Sequence, residues 1–99
     1  MVAGGARAIL FRSRYLSYGD ACVMARRIFA RSSWEIVYIH LAETTGTSTA
    51  ALARLVLLRR ELLESGRDLR IIGLSGKARA LYEISRLNNV LPILPASQA

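Results

Sequence analysis

Residues that build covalent or metal-based sites are scarce in this sequence of 99 residues, which has one cysteine and one histidine. A single cysteine, Cys22, excludes a disulfide within the chain and any zinc site made of several cysteines. His40 also stands alone, without the grouped carboxylates that would complete a metal site. We therefore predict that both side chains are packing residues, and that the protein uses no metal and no cofactor.

Long apolar runs are missing as well. The run from Leu55 to Leu58 is among the longest, whereas a membrane-spanning helix needs about 20 apolar residues. Near the start of the sequence, the apolar patch from Ala8 to Phe11 is shorter than the apolar region of roughly 7–15 residues in a signal peptide. We therefore expect a protein that does not span a membrane and that is cytoplasmic.

Acidic residues are half as frequent as basic ones, seven against fourteen, so the formal net charge is +7. Such a charge attracts nucleic acid, an anionic membrane or an acidic protein. The basic residues, thirteen of them arginine, are scattered, and the aromatic residues do not alternate with them as a stacking platform for nucleic acid requires. We therefore expect no nucleic-acid partner, and the other two kinds of partner stay open.

What the sequence does contain is the composition of one globular domain, with 53% hydrophobic and 21% charged residues. We place this domain at residues 7–95 and expect flexible termini at 1–6 and 96–99. Apolar runs and helical spacings alternate along it. They predict strands at 8–11 (extending toward 16), 35–41, 68–73 and 90–94, and helices at 21–31, 49–65 and 76–88. This order indicates an α/β fold with a mixed, mostly parallel sheet of about four strands and three or four packed helices.

Several residues predict how these elements begin, pack and end. Asp20 is predicted to cap the first helix, Gly66 to end the second with a positive φ, and Pro92 to confine the last strand to a sheet edge. The run from Ile36 to Ile39 does not alternate, which predicts a central strand covered on both faces. The buried stripes are predicted to be Ala51, Leu55, Leu58 and Leu62 with Leu52 and Leu63 on the second helix, and Ala78, Leu81, Ile84 and Leu87 or Asn88 on the third.

Hydroxyl side chains cluster where the central strand gives way to the leucine-rich helix, in the run Thr44-Thr45-Gly46-Thr47-Ser48-Thr49. The first amides of a helix lack intrahelical acceptors and the helix dipole favours an anion there, so a phosphate carried by a hydroxyl would be stabilised. The simpler interpretation, which local chemistry favours, is that Ser48 or Thr49 caps the helix. No nucleotide-binding fingerprint and no catalytic constellation accompanies the turn, so we predict that the protein is not an enzyme.

Two segments carry a family resemblance. The run from Ile36 to Leu41 is similar to a central strand that ends in an Asp-Leu pair, and the run from Ser48 to Ala53 is similar to a turn of the pattern D-[ST]-[SG]-G-L-[GA]. The register then continues without a gap through Leu55, Leu62, Gly66, Leu69, Gly73-Leu74-Ser75, Leu81, Leu87 and Leu91-Pro92-Ile93. Over these C-terminal two-thirds the chain resembles the STAS domain, named for sulphate transporters and anti-sigma factor antagonists.

The resemblance implies a regulatory role in transcription. In the antagonist branch of the family, the hydroxyl residue after the Asp of the turn is phosphorylated by a partner kinase that is also the anti-sigma factor. That residue is Thr49 here, with Ser48 as the alternative. The unphosphorylated protein would bind the anti-sigma factor and release its sigma factor, whereas a phosphate of roughly −1.5 to −2 charge would abolish docking. The implied partner contacts are Thr47, Ser48, Thr49, Ala50, Leu52 and Ala53.

The same turn also resembles a second branch of the family, the STAS accessory subunits that bind the ATPase of lipid-transporting ABC systems. In that branch the turn often reads D-T-G-G-L-A. Thr49 would then be a contact residue without phosphorylation, and the excess arginines would face an acidic partner or a membrane-proximal surface. The chain departs from the family pattern in Ser48 for Asp, in Ala50 and Ala51 for a small polar residue and Gly, and in His40 for the Asp that ends the strand.

Overall fold

A four-stranded sheet runs through the centre of the protein, and every neighbouring pair of its strands is parallel. The computed structural model describes residues 6–31 and 33–95. Its elements are β1 (Ala6–Leu10), β2 (Tyr15–Leu16), α1 (Tyr18–Phe29), β3 (Ile36–His40), β4 (Gly46–Thr47), α2 (Thr49–Glu64), β5 (Asp68–Ile72), α3 (Gly76–Ile84) and β6 (Ile93–Leu94). The sheet order is β1-β3-β5-β6. The predicted α/β architecture is confirmed, although the sheet is parallel throughout the described residues rather than mixed.

The first predicted strand turns out to be two strands. β1 ends at Leu10, and Tyr15 and Leu16 form the separate strand β2, which pairs in parallel with β4 in a small second sheet. Ala6, expected to belong to a flexible terminus, is the first residue of β1. The other residues of the two expected flexible termini lie outside the described residues.

Helix α1 begins three residues earlier than predicted, and its cap is Ser17 rather than Asp20. The Ser17 Oγ accepts a hydrogen bond from the Asp20 backbone N at 3.0 Å, and the Asp20 carboxylate accepts one from the Ser17 backbone N, also at 3.0 Å. This reciprocal pair is a capping box, in which the acid sits at the third helical position instead of the cap. Ala21, Met24, Ala25 and Ile28 recur at helical spacing along α1, and all four are buried.

All three helices contribute to a core on one face of the sheet. Along β3, Val37 and Ile39 are fully buried in this core. Ile36 is 39% exposed on the other face, where Tyr38 and His40 are half-buried. The prediction that β3 is central is confirmed, but the prediction that both its faces are covered is wrong, because the helices leave the second face partly open.

The leucine stripe of α2 is buried as predicted, and Leu52 joins it. Leu63 does not, because it lies on the outer side of the helix and is 47% exposed. The helix ends at Glu64, and Gly66 follows with a φ of +77°. Gly66 therefore ends the helix in the conformation that was predicted for it.

The predicted stripe of α3 is confirmed in part: Ala78 is buried, and Leu81 and Leu87 pack half-buried against the core, whereas Asn88 is exposed. The helix also buries Tyr82, whereas Ile84 is 79% exposed. The Tyr82 hydroxyl donates a hydrogen bond of 2.8 Å to the Leu91 carbonyl oxygen. This bond ties α3 to the segment that leads into β6, the edge strand that was predicted from Pro92.

A buried arginine locks the end of α1 to the start of β3. The Arg67 guanidinium, 9% exposed, donates to the backbone oxygens of Ile28 at 3.0 Å, Arg31 at 2.8 Å and Trp34 at 2.8 Å. These oxygens lie at and just beyond the C-terminal end of α1, where the helix dipole favours a cation. Sequence patterns did not single out Arg67, since its acceptors lie 33 to 39 residues away.

Candidate functional site

The hydroxyl-rich turn follows the C-terminal end of β3, next to the ends of the neighbouring strands. The Leu41 backbone N, just before the turn, donates to the oxygen of Ile72 on β5 at 2.8 Å, and the Thr44 backbone N donates back to the Leu41 oxygen at 3.0 Å. In open parallel sheets, ligands bind outside the carboxyl ends of the strands. The turn thus lies at the edge of the sheet where functional residues are expected.

Two of the hydroxyls in this turn are structural. Thr44 is fully buried, and its Oγ1 donates to the Ser13 oxygen at 2.9 Å. The Thr47 Oγ1 donates to the Leu16 oxygen at 2.8 Å. Both bonds fasten the turn to the segment after β1, 31 residues earlier in the sequence.

The short pairing of β2 with β4 adds to this attachment. The backbone N atoms of Thr45 and Gly46 both donate to the Arg14 oxygen at 2.9 Å. A Cβ on Gly46 would lie 3.0 Å from the Tyr15 ring, so only glycine permits this approach without a shift of that ring. The turn is therefore held on one side by residues that the sequence patterns did not connect with it.

Helix α3 holds the turn on its other side. The Ala78 backbone N donates to the Thr45 oxygen at 2.8 Å, and the Ser75 backbone N donates to the Thr44 oxygen at 3.3 Å. Gly76 adopts a φ of +59°, and a Cβ there would lie 3.1 Å from the Thr45 Cβ. The starts of α2 and α3 are thus fixed to the same turn.

Ser48 caps α2, as local chemistry predicted. Its backbone is extended, with φ −121° and ψ 159°, and its Oγ accepts a hydrogen bond from the Ala51 backbone N at 3.1 Å. This bond satisfies one of the helix amides that have no intrahelical acceptor. The Ser48 hydroxyl is therefore already engaged in the folded protein.

Replacing Ser48 with alanine is expected to lower the free energy of unfolding by about 1 kcal/mol, since the Ala51 amide loses its acceptor. Ser75 provides a matched control, because it occupies the N-cap of α3 without making a side-chain hydrogen bond. We expect Ser75→Ala to change the stability by less than about 0.5 kcal/mol. Urea denaturation of both variants measures the difference, and equal losses would contradict the capping role of Ser48.

Thr49 is the first residue of α2 and is exposed. Among the described residues no hydrogen bond engages its hydroxyl, in contrast to those of Thr44, Thr47 and Ser48. Ala50 and Ala53 are exposed beside it on α2. These three residues form what we call the Thr49 surface.

Two residues that were predicted to contact a partner lie outside the Thr49 surface. Leu52 is 2% exposed and packs in the core on the buried side of α2. Thr47 is half-buried, and its hydroxyl is bonded to the segment after β1. Neither side chain is therefore part of the Thr49 surface.

The start of α1 lies beside the first half of α2. Interaction with the Cys22 side chain raises the pKa of the Tyr18 hydroxyl, while the Arg54 guanidinium acts in the opposite sense. Tyr18 is 52% exposed, and Cys22 is half-buried rather than internal. The charge of Arg54 thus acts on the start of α1, because α1 packs against α2.

Positive charge surrounds this end of the fold. The first turn of α2 has no acidic residue. Arg14 and Lys77 are exposed in the two segments that hold the turn, and Glu43 is the exposed acid within the turn. The replacement of an Asp by Ser48 therefore leaves a site with more positive charge than the family pattern implies.

Two of the hollows that the described residues form are open to solvent. One, of about 100 Å³, is lined by Leu10, Phe11, Arg12, His40, Ala42 and Glu43. His40, predicted to be a packing residue on a strand, is the last residue of β3 and borders this hollow. The other hollow, of about 420 Å³, is lined by Arg79, Tyr82, Glu83, Asn88, Pro92 and Ile93.

Neither hollow is lined by a cluster of side chains that would bind a metal ion. In residues 6–31 and 33–95, no group of three or more histidine, cysteine or acidic side chains is placed to hold a metal ion. No described helix is long and apolar enough to cross a membrane. What the Thr49 surface offers is an accessible hydroxyl with basic and apolar side chains around it.

Comparison with known proteins identifies the architecture. No protein-family model matches the sequence, and no curated protein matches it. The chain is similar in structure to part of the murine Solute Carrier 26 family member A9 (Slc26a9) anion transporter in its inward-facing state, a protein that contains a STAS domain, with a TM-score of 0.73. The fold is STAS-like.

The likeness extends over nearly all of this chain but over only a small part of the transporter. The alignment covers 96% of this chain at 8% sequence identity, and 17% of the transporter chain. At that identity the likeness shows the fold alone. The STAS-like fold agrees with the resemblance seen in the sequence, and the strand-to-helix turn that carried this resemblance is the turn that exposes Thr49.

Proposed function

We propose that this chain is a non-enzymatic interaction module, similar to an anti-sigma factor antagonist, that docks on its partner through the Thr49 surface. The observation that supports this proposal is that the hydroxyl residues of the turn have different roles. Thr44 and Thr47 bond to the segment after β1, Ser48 caps α2, and Thr49 remains exposed. A rigid turn that leaves the Thr49 hydroxyl accessible at the start of α2 suits both recognition and modification.

The same surface supports a phosphorylation switch at Thr49. A phosphate there would lie at the start of α2, where the helix dipole stabilises an anion. It would also oppose the positive charge of Arg14 and Lys77, which are exposed in the segments that hold the turn, and add to the negative charge of Glu43. In this proposal a kinase-like anti-sigma factor is the partner, and the phosphate weakens docking by repulsion and by the cost of desolvating it.

A second candidate function is that of an accessory subunit which binds the ATPase of a lipid-transporting ABC system. Two sequence features support it: the run from Ser48 to Ala53 also resembles the D-T-G-G-L-A turn of that branch, and the excess of arginine suits an acidic partner. In this case Thr49 would be a contact residue that is never phosphorylated. The partner would then bind Thr49→Ala and Thr49→Glu with more similar affinities than an anti-sigma factor would.

The experiment is a binding measurement with the partner encoded next to this gene, either a histidine-kinase-like protein or an ABC ATPase. We expect Thr49→Glu to weaken the binding of an anti-sigma factor by about tenfold or more, and Thr49→Ala to bind nearly as the natural protein does. Ser33→Glu is the matched control, because Ser33 is exposed just before β3, at the opposite end of the sheet. Equal binding by all three variants would contradict a charge switch at Thr49.

Modification is tested separately on protein isolated from its native cells. Intact mass and site mapping are expected to find one phosphate at Thr49 and none at Ser48, because the Ser48 hydroxyl is bonded to the Ala51 amide. Unmodified Thr49 under all growth conditions would exclude the switch and favour the accessory-subunit function.

A further inference from the structure

A tryptophan and two arginines from distant parts of the sequence meet at the N-terminal ends of the strands, away from the Thr49 surface. The guanidinium carbon of Arg7 lies 6.0 Å from the centre of the Trp34 ring, and that of Arg31 lies 5.9 Å from it. Arg7 is on β1, Arg31 follows α1, and Trp34 precedes β3. We call these three residues the Trp34 patch.

The backbone of the patch is held in place by Arg67. The Arg31 and Trp34 oxygens both accept hydrogen bonds of 2.8 Å from its guanidinium, and the Trp34 backbone N donates to the Arg31 oxygen at 3.0 Å. A surface whose backbone is fixed before binding loses less conformational freedom when a partner docks. The Trp34 patch is therefore preorganised.

The positive charge of the patch is not neutralised within the described residues. The ion pairs there use Arg54, Arg59, Arg70 and Arg79, and none of them involves Arg7 or Arg31. Arg26 and Arg27 are exposed in the last turn of α1 and add charge at the same end, against the exposed acids Glu35 and Glu64. The patch thus presents an excess of positive charge around a half-buried aromatic ring.

The geometry favours a lipid surface over a nucleic acid. Stacking of nucleic-acid bases needs a free aromatic face, whereas two guanidinium groups already lie over the Trp34 ring. A tryptophan bordered by arginines suits the boundary between water and hydrocarbon, where the ring is partly inserted and the cations meet lipid phosphates. Phe29, 42% exposed at the end of α1, adds an apolar side chain at the same end of the helix.

We propose that the Trp34 patch binds the anionic surface of a lipid bilayer, with Arg26 and Arg27 contributing longer-range attraction. This inference does not depend on the function proposed for the Thr49 surface. The two surfaces lie at opposite ends of the same parallel strands, so a protein bound to lipid would keep Thr49 accessible to a protein partner.

Trp34 is the only tryptophan of the chain, so its fluorescence reports directly on the patch. The full chain is titrated with vesicles of phosphatidylcholine alone and with vesicles that also contain phosphatidylglycerol. We expect a blue shift of the emission and sedimentation of the protein with the anionic vesicles only, and both effects should weaken as salt is added. Absence of binding to the anionic vesicles overturns the proposal.

Matched variants separate the patch from the overall charge. The double variant Arg7→Gln, Arg31→Gln is expected to bind anionic vesicles about 25-fold more weakly, roughly fivefold for each arginine removed. The control is Arg60→Gln, Arg86→Gln, which removes the same charge from two exposed arginines outside the patch and should lose much less affinity. Circular dichroism verifies that both variants fold.

Three outcomes would overturn the proposal. Equal losses in the two double variants would mean that net charge, and not the Trp34 patch, drives binding. Sedimentation without any change in Trp34 emission would move the contact to another surface. Tighter binding of the patch to a single-stranded DNA oligonucleotide or to polyglutamate than to the anionic vesicles, at the same salt concentration, would assign it to nucleic acid or to an acidic protein.

Discussion

Replacing Arg67 with alanine is expected to lower the free energy of unfolding by about 3 kcal/mol. The variant loses three hydrogen bonds from a charged donor, each of which contributes roughly 1.5 kcal/mol or more, and it leaves the Ile28, Arg31 and Trp34 oxygens to find water in a largely buried site. For a chain of this length, such a loss corresponds to a melting temperature lower by roughly 15 °C. Thermal and urea denaturation measure both quantities.

Two further variants establish the cause of this loss. Arg60→Ala removes an exposed arginine from α2 and should change the stability by less than about 0.5 kcal/mol. Arg67→Lys keeps the cation near the end of α1 but cannot reproduce the planar fork of donors, so we expect an intermediate loss. A loss below about 1 kcal/mol for Arg67→Ala would mean that water replaces the guanidinium without cost.

Replacing Gly73 with alanine should also cost about 3 kcal/mol, through a different mechanism. Gly73 follows β5 with a φ of +72°, and a Cβ there would lie 3.0 Å from the Cα of Ala42 and 3.3 Å from its backbone N. The strain of a left-handed conformation, about 1–2 kcal/mol, is thus joined by an overlap with backbone atoms that cannot rotate away. Urea denaturation measures the total.

Gly66 separates these two contributions. It has a similar φ of +77°, but a Cβ there would meet no atom within 4 Å. Gly66→Ala should therefore cost only the conformational strain, about 1 kcal/mol. If the two alanine variants lose equal stability, close contact with Ala42 does not explain the glycine at position 73.

The Gly73 variant also bears on function. Ala42 begins the turn that presents Thr49, and the Gly73 backbone N donates to the Leu94 oxygen at 2.8 Å. A side chain at position 73 would push on Ala42 and displace the turn. We therefore infer that the close approach of β5 to this turn helps to hold the Thr49 surface in place.

The sequence was most informative where the structural reason is local. The stripe of Ala51, Leu55, Leu58 and Leu62 follows the period of a helix, and α2 buries it. Positive φ at Gly66 and the cap at Ser48 also depend on neighbouring residues only. Even the misplaced start of α1 has a local explanation, because Ser17 and Asp20 form a capping box whose spacing is visible in the sequence.

The predictions were wrong where residues distant in the sequence determine which face of an element is buried. Ile84 continues the helical spacing of α3, yet it is 79% exposed, because Tyr82 is the side chain that reaches the Leu91 carbonyl oxygen. The unbroken apolar run in β3 suggested cover on both faces, but the helices pack on one. Periodicity defines a helix or a strand, and it does not say which other element will lie against each face.

By itself, then, the sequence determined the order of the three helices and of the four strands of the main sheet, the core stripe of α2 and the cap at Ser48, and it made Thr49 a candidate site. Only the tertiary structure decided that Thr44 and Thr47 are engaged elsewhere, and that Arg67 joins α1 to β3. It also brought Arg7 and Arg31 to Trp34, residues that sequence patterns did not connect. The physical reason is the range of the interactions: caps and stripes depend on residues within one or two helical turns, whereas these contacts exist only once parallel strands bring distant segments together.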